Sequence, residues 1–240
     1  MSKRPFLSII IPLYNESMRV HNLSIVSSFI KTKKSLTELI VVNDGSTDDT
    51  LIKLKSLKSK FNLKILSYLK NKGKGYAIKK GFLEAQGQYI LFTDIDLSTP
   101  IEEIDKFIPF TKSYDIIIAT RKVAESKVVS RQLPLRENLG KVFTALSKII
   151  LNLNLSDFTC GFKLFSRKAG KEIFSKLTTN RWGFDSELLF IAKKKGFRIK
   201  EVGVQWKNDP STKVKFPQDV FTSLIELIKV RINEAKGVYG

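Results

Sequence analysis

Five short apolar runs, each closed by a polar cluster, constrain this chain more than any other feature. They are LSIIIPL (Leu7–Leu13), LIVV (39–42), LKILSYL (63–69), YILFT (Tyr89–Thr93) and DIIIAT (115–120). The runs are β-branched and apolar on both faces, as strands covered on two sides should be. Helical patterns over 20–31, 48–60 and 76–85 separate the first four. Strand–helix alternation predicts an α/β fold with a mostly parallel sheet flanked by helices. Such sheets bind ligands beyond the carboxyl ends of their strands. Polar residues collect there: Tyr14-Asn15-Glu16, Asn43-Asp44-Gly45-Ser46, Asn71-Lys72-Gly73-Lys74-Gly75, Asp94-Ile95-Asp96 and Thr120-Arg121.

The second half is less regular. Residues 122–133 are polar and are expected to form a mobile loop, followed by an apolar helix over 141–155. A turn into a short strand (157–165), a helix (187–194), a strand (198–206) and an amphipathic helix over Gln218–Ala235 complete the prediction. Neither a repeat nor a linker interrupts the chain, so 1–240 reads as a single domain.

The charge is +19, from 42 Lys+Arg against 23 Asp+Glu. It favours an anionic partner such as nucleotide phosphates or an anionic membrane surface. Runs such as Lys53, Lys55, Lys58 and Lys60 read as solvated helix faces. Acidic strand ends argue against a nucleic-acid backbone as the partner. One histidine (His21) leaves no room for a His-based triad or a multi-His metal site, and one cysteine (Cys160) excludes an internal disulfide. No run is long enough to span a bilayer, and MSKRPFLSIIIPLYNE lacks the features of a signal peptide, so a cytoplasmic, peripheral location is expected.

Asp94 and Asp96 bracket Ile95 where the fourth strand ends. On an extended strand, i and i+2 face one side. Two carboxylates at one spot repel unless a cation joins them. Mg²⁺ or Mn²⁺ would do so and keep coordination positions for phosphate oxygens. Ser98-Thr99-Pro100 account for the start of the next helix, and they leave the aspartates unexplained. The Gly73-Lys74-Gly75 loop matches neither the dinucleotide nor the Walker pattern.

Ser8–Glu16, Ile40–Asp48 and the Asp94-Ile95-Asp96 triplet together resemble the family 2 inverting glycosyltransferases of GT-A (Rossmann-like) fold. Asn71–Gly75, Asp157–Phe165 (DFTCGFKLF) and Arg181–Leu189 (RWGFDSELL) are similar to the dolichyl-phosphate β-glucosyltransferase branch. The resemblance covers nearly the whole chain in order. It implies a nucleotide-sugar-binding half (1–120) and an acceptor-binding half (121–240) with C-terminal amphipathic helices.

The resemblance further implies that Pro12, Tyr14, Glu16, Asp44, Lys74, Asp94 and Arg121 bind the donor, with Asp94 and Asp96 holding Mg²⁺ or Mn²⁺. Asp157, Asp185 and Glu187 would be the catalytic group around acceptor and sugar. A lipid phosphate is already ionised and needs cations more than a base; Arg131, Arg136, Lys163 and Arg181 are the candidates. The expected reaction moves glucose from UDP-glucose to dolichyl or polyprenyl phosphate. GDP-mannose as donor and a saccharide as acceptor are the alternatives. Cys160 is expected to be a packed residue, and Trp182 to stack on a sugar.

Overall fold

The computed structural model describes residues 4–211 and 218–240. Seven strands form one sheet in the order β3-β2-β1-β4-β7-β5-β8. They are β1 (Leu7–Leu13), β2 (Thr37–Asp44), β3 (Leu63–Tyr68), β4 (Tyr89–Thr93), β5 (Ile116–Thr120), β7 (Phe162–Ser166) and β8 (Ile199–Gly203). Only β7 runs antiparallel to its neighbours, β4 and β5. It pairs Phe162 with Thr93, so the turn that precedes β7 reaches the rim where β4 ends. A separate parallel pair, β6 (Lys127–Ser130) and β9 (Gln205–Lys207), flanks the sheet.

The helices are α1 (Leu23–Thr32), α2 (Thr50–Lys58), α3 (Lys74–Glu84), α4 (Pro134–Leu151), α5 (Arg167–Lys176), α6 (Phe184–Lys194) and α7 (Gln218–Ala235). Alternate side chains of β1 enter opposite cores, as the two-residue strand period requires: Ile10 packs with α3, α5 and α6, and Ile9 and Ile11 with α1. On the first face Phe82 stacks on Phe174 at 3.8 Å and meets Phe165 edge-on at 5.1 Å.

Four expectations change, the first being that the strand predicted over 198–206 breaks at Val204 into β8 and β9, which belong to different sheets. Residues 122–133 are not wholly loop, because 127–130 pair with 205–207 across a long separation that local pattern does not reveal. Helix α4 begins at Pro134, seven residues before the apolar periodicity suggests, and stops at Asn152, whose φ of 50° is left-handed. Helix α5, absent from the sequence reading, starts where the Ser166 side chain accepts the Ala169 N–H at 3.3 Å.

Phe82→Ala is expected to cost about 3–5 kcal/mol, because three rings lose their partner in a fully buried site. Urea denaturation checks this; a loss below about 1 kcal/mol would show that the aromatic stack is not the centre of this core.

Candidate active site

The carboxyl ends of β1, β2, β4 and β5 and the turn before β7 meet on one rim. β4 stops at Thr93, so Asp94 and Asp96 stand on a turn rather than an extended strand. The Leu97 N–H closes that turn on the Asp94 carbonyl at 3.2 Å, with Leu97 at φ 50°. Ile95 is buried in the core as expected. Burial and then the Asp94 charge push the Asp96 carboxyl above its ordinary value. One Asp96 oxygen accepts the Ser98 N–H at 2.9 Å.

Lys74 crosses to this pair from the first turn of α3, its Nζ 2.7 Å from one Asp94 oxygen and 2.9 Å from the other. Burial would lower the Lys74 ammonium, but Asp94 and then Asp185 outweigh it and raise it. The Trp182 ring lies 5.5 Å from the same Nζ, which brings that indole to the rim. Gly161 makes the close fit possible. A Cβ there would stand 2.1 Å from an Asp94 oxygen.

Asp44 does not reach outward. Its oxygens accept the Lys72 N–H (2.8 Å), the Gly73 N–H (2.9 Å) and the Asn71 amide (2.8 Å). It therefore shapes the loop that presents Lys74. Gly73, at φ 103°, completes that loop, and a Cβ would strike the Asn180 carbonyl at 2.4 Å. Pro12 and Tyr14 lie at the β1 end, with Tyr14 exposed. Glu16 is directed sideways to Arg19 at 2.7 Å, and Arg19 continues to Asp209 at 2.9 Å.

Arg121 forks onto Asp157, Nε to one oxygen at 2.7 Å and Nη2 to the other at 2.8 Å. Its guanidinium lies 5.2 Å from the Trp206 ring. Burial would raise the Asp157 carboxyl; the guanidinium prevails and holds it well below the usual carboxylate range. Asp185 is paired with Lys163, whose ammonium also donates to the Cys160 carbonyl at 2.8 Å. Lys163 is fully buried, so it neutralises Asp185 from beneath and offers nothing to an incoming phosphate.

Glu187 departs from the expected catalytic group. Two steps along a helix turn about 200° around its axis, so Asp185 and Glu187 leave α6 on opposite sides. Glu187 accepts Thr178 N–H (3.0 Å), Thr178 Oγ1 (2.6 Å), Thr179 N–H (2.7 Å) and the Tyr239 hydroxyl (2.6 Å). It pins the 178–179 segment to the C-terminal turn.

Of the proposed phosphate ligands, Arg136 faces the rim from the first turn of α4. Burial and Arg121 lower its pKa, while Asp96 opposes them. Arg131 is exposed beyond β6, and Arg181 is exposed beside Gly73. Lys122 was missed: it is exposed, follows Arg121 toward Asp157, and its Nζ donates to Thr144 Oγ1 at 2.8 Å. Its signal was its place directly after Arg121 at a strand end. Asn15 was also not singled out. Its side-chain oxygen accepts the Thr47 N–H at 2.8 Å and latches the first loop to the second.

Among the described residues, no group of three or more His, Cys, Asp or Glu could hold a metal ion. The acidic pair still suits a hard divalent cation, because both side chains offer carboxylate oxygens and the missing Cβ of Gly161 is what admits the Asp94 carboxylate to this position. The remaining ligands would be donor oxygens and water.

Gly161→Ala is expected to weaken Mn²⁺ binding, read calorimetrically, at least tenfold while leaving the melting temperature within a few degrees of wild type, since only the Asp94 carboxylate must move. Unchanged binding would mean that Asp94 can shift without loss. Burial pushes the Cys160 thiol up to about 11. It should resist thiol reagents at pH 8 in the native protein and react fully once unfolded; rapid native labelling would contradict the packing.

The glycosyl transferase family 2 model matches residues 8–174. The dolichyl-phosphate beta-glucosyltransferase of Saccharomyces cerevisiae is 33% identical, over 98% of this chain and 76% of that protein. The human protein of the same name is 31% identical, over 87% of this chain and 69% of its own length. Glucosyl-3-phosphoglycerate synthase from Mycobacterium tuberculosis, crystallised with Mn²⁺, UDP-glucose and glycerol 3-phosphate, superposes with a TM-score of 0.68. That likeness spans 95% of this chain and 79% of the synthase at 18% identity. With its strands, rim and sequence in agreement, this chain belongs to glycosyl transferase family 2 and is a glycosyltransferase of GT-A fold.

Proposed function

We propose that the chain transfers glucose from UDP-glucose, with inversion, to a dolichyl or polyprenyl phosphate. One observation carries this reading beyond the names of its relatives. Two of the three carboxylates expected to be catalytic are tied to a cation, Asp157 to Arg121 and Asp185 to Lys163. Asp157, held low, is a poor proton acceptor. A hydroxyl acceptor would need such a base. A phosphate acceptor is already ionised and needs positive charge to seat it, which Arg136 and Lys122 supply at the rim.

Donor binding falls to the 1–120 half in this reading, and acceptor binding to the 121–240 half of one domain. Lys74 and the Asp94–Asp96 pair stand where the donor diphosphate would lie. Asp94 and Asp96 would hold Mg²⁺ or Mn²⁺, which when bound offsets the charge that builds on the leaving diphosphate. Asp44 and Gly73 fix the Lys74 loop, and Trp182 offers a ring to the sugar. One observation favours a saccharide acceptor instead: burial raises the Asp185 carboxyl, the direction a general base requires.

The lipid acceptor also fits the surface. Helices α4 and α7 pack together and leave apolar side chains in solvent: Leu135, Val142 and Ile149 on α4, Phe221, Ile228 and Ile232 on α7. None of the described helices is long and apolar enough to cross a membrane. We place this face on an anionic, cytoplasm-facing membrane surface as an interfacial contact.

Asp94→Asn and Asp96→Asn should each lower metal-dependent transfer of labelled glucose into an organic-extractable product at least 100-fold. Labelled product from a soluble sugar acceptor, with none from polyprenyl phosphate, would select the saccharide reading. The doubly substituted Phe221→Ser, Ile228→Ser protein should bind vesicles containing phosphatidylserine at least tenfold more weakly. Unchanged co-sedimentation would remove the membrane face.

A further inference from the structure

At the opposite pole of the sheet, below the amino ends of β4, β5 and β8, lies a pocket of about 340 Å³. Five cations line it: Arg4, Lys112, Arg167, Lys168 and Arg198. They arrive from four separate segments, before β1, after the turn at 108–110, at the start of α5 and before β8. The lysines of α2, by contrast, all come from a single helix. Asp115 is the single carboxylate among the lining residues. It is already committed: it accepts the Arg198 N–H at 2.9 Å and lies 3.9 Å from the Arg198 side chain. Arg4, Lys112 and Lys168 have no ion-pair partner among the described residues.

The floor is fixed by backbone hydrogen bonds. Arg167 N–H donates to the Gln88 carbonyl at 2.9 Å, Ser166 N–H to the Asp115 carbonyl at 2.7 Å, and Asp115 N–H to the Arg198 carbonyl at 3.0 Å. Side chains on this floor cannot separate by moving the strands. Arg167 already donates Nη1 to the Gln86 carbonyl at 2.7 Å; the like charges gathered around the concavity repel one another, and a multiply charged anion relieves that repulsion. Arginine adds forked donors that match phosphate oxygens. The volume falls within the range of small-ligand sites.

We infer that this pocket binds a phosphoanion carrying two or more phosphate groups, independently of the donor site on the opposite rim. The ligand could be free in solution or displayed on a lipid headgroup, since both present the same oxygens. Its position rests on none of the residues assigned to transfer.

Tripolyphosphate titrated calorimetrically in the presence of EDTA tests the inference. Three proteins are compared: Arg4→Ser, Lys112→Ser, Lys168→Ser combined; Lys74→Ala at the donor site; and Lys53→Ser, Lys55→Ser, Lys58→Ser combined on α2. The pocket variant should bind at least tenfold more weakly than wild type, and the other two within twofold of it. A loss confined to Lys74→Ala would assign the anion to the donor site and overturn the pocket. Equal losses in the pocket and α2 variants would reduce it to general surface charge, and no binding by wild type would also overturn it. Vesicles carrying phosphatidylinositol bisphosphate, run beside free tripolyphosphate, separate the two sources. Sedimentation lost with the pocket charges identifies a headgroup, and vesicle binding insensitive to them identifies a free anion.

Discussion

The rim depends on a buried lysine. Lys163 sits in the antiparallel strand β7, fully enclosed, and a lone ammonium there would be strongly unfavourable. Asp185 answers it from the first turn of α6. The Asp185 charge then favours Lys74, and Lys74 grips Asp94. Charges alternate from the core outward, and each is held by the next. Removing one member leaves its neighbour uncompensated in a low-dielectric place, so the chain of pairs fixes geometry more than it adds stability. In the proposed reading the outermost members are the ones that exchange partners when an anionic donor binds.

The polar loops serve the same end. Asp44 accepts the Asn71 side-chain amide and the backbone N–H groups of Lys72 and Gly73, and so aims Lys74. Gly73 and Gly161 matter for what they lack: each permits an approach that any Cβ would block. Arg121 and Asp157 form a second fixed pair at the end of β5. A site assembled from fixed pairs meets a developing charge without reorganising first, which is how electrostatic stabilisation is most effective.

The strands and their polar ends were legible in the sequence because buried parallel strands must be apolar on both faces. The Gln218–Ala235 helix was legible because its apolar stripe has a helical period. Elements whose signals are nonlocal were not. β6 pairs with a strand more than seventy residues away, and only Val128 and Val129 mark it as other than loop. α5 carries few apolar residues, so its cap at Ser166 was its main mark. Among site residues, the sequence located charges without their partners. Glu187 and Lys163 looked available because nothing local says that Thr178, Tyr239 and Asp185 already occupy them.

The overall charge of +19 divides in the same way. Lysines along α2 come from one exposed helix, where Lys53 Nζ donates to the Ser17 carbonyl at 3.1 Å. Arg136 instead is half-buried near Arg121 and Asp96, and burial weakens its hold on a proton. A cation in that condition gains most from an anion, because the anion restores what burial removed. Net charge therefore says little about where an acceptor phosphate would bind. In the proposed reading the relevant quantity is positive charge that is partly desolvated and near the acidic pair, and Arg136, in the first turn of α4 and within the field of Asp96, combines the two.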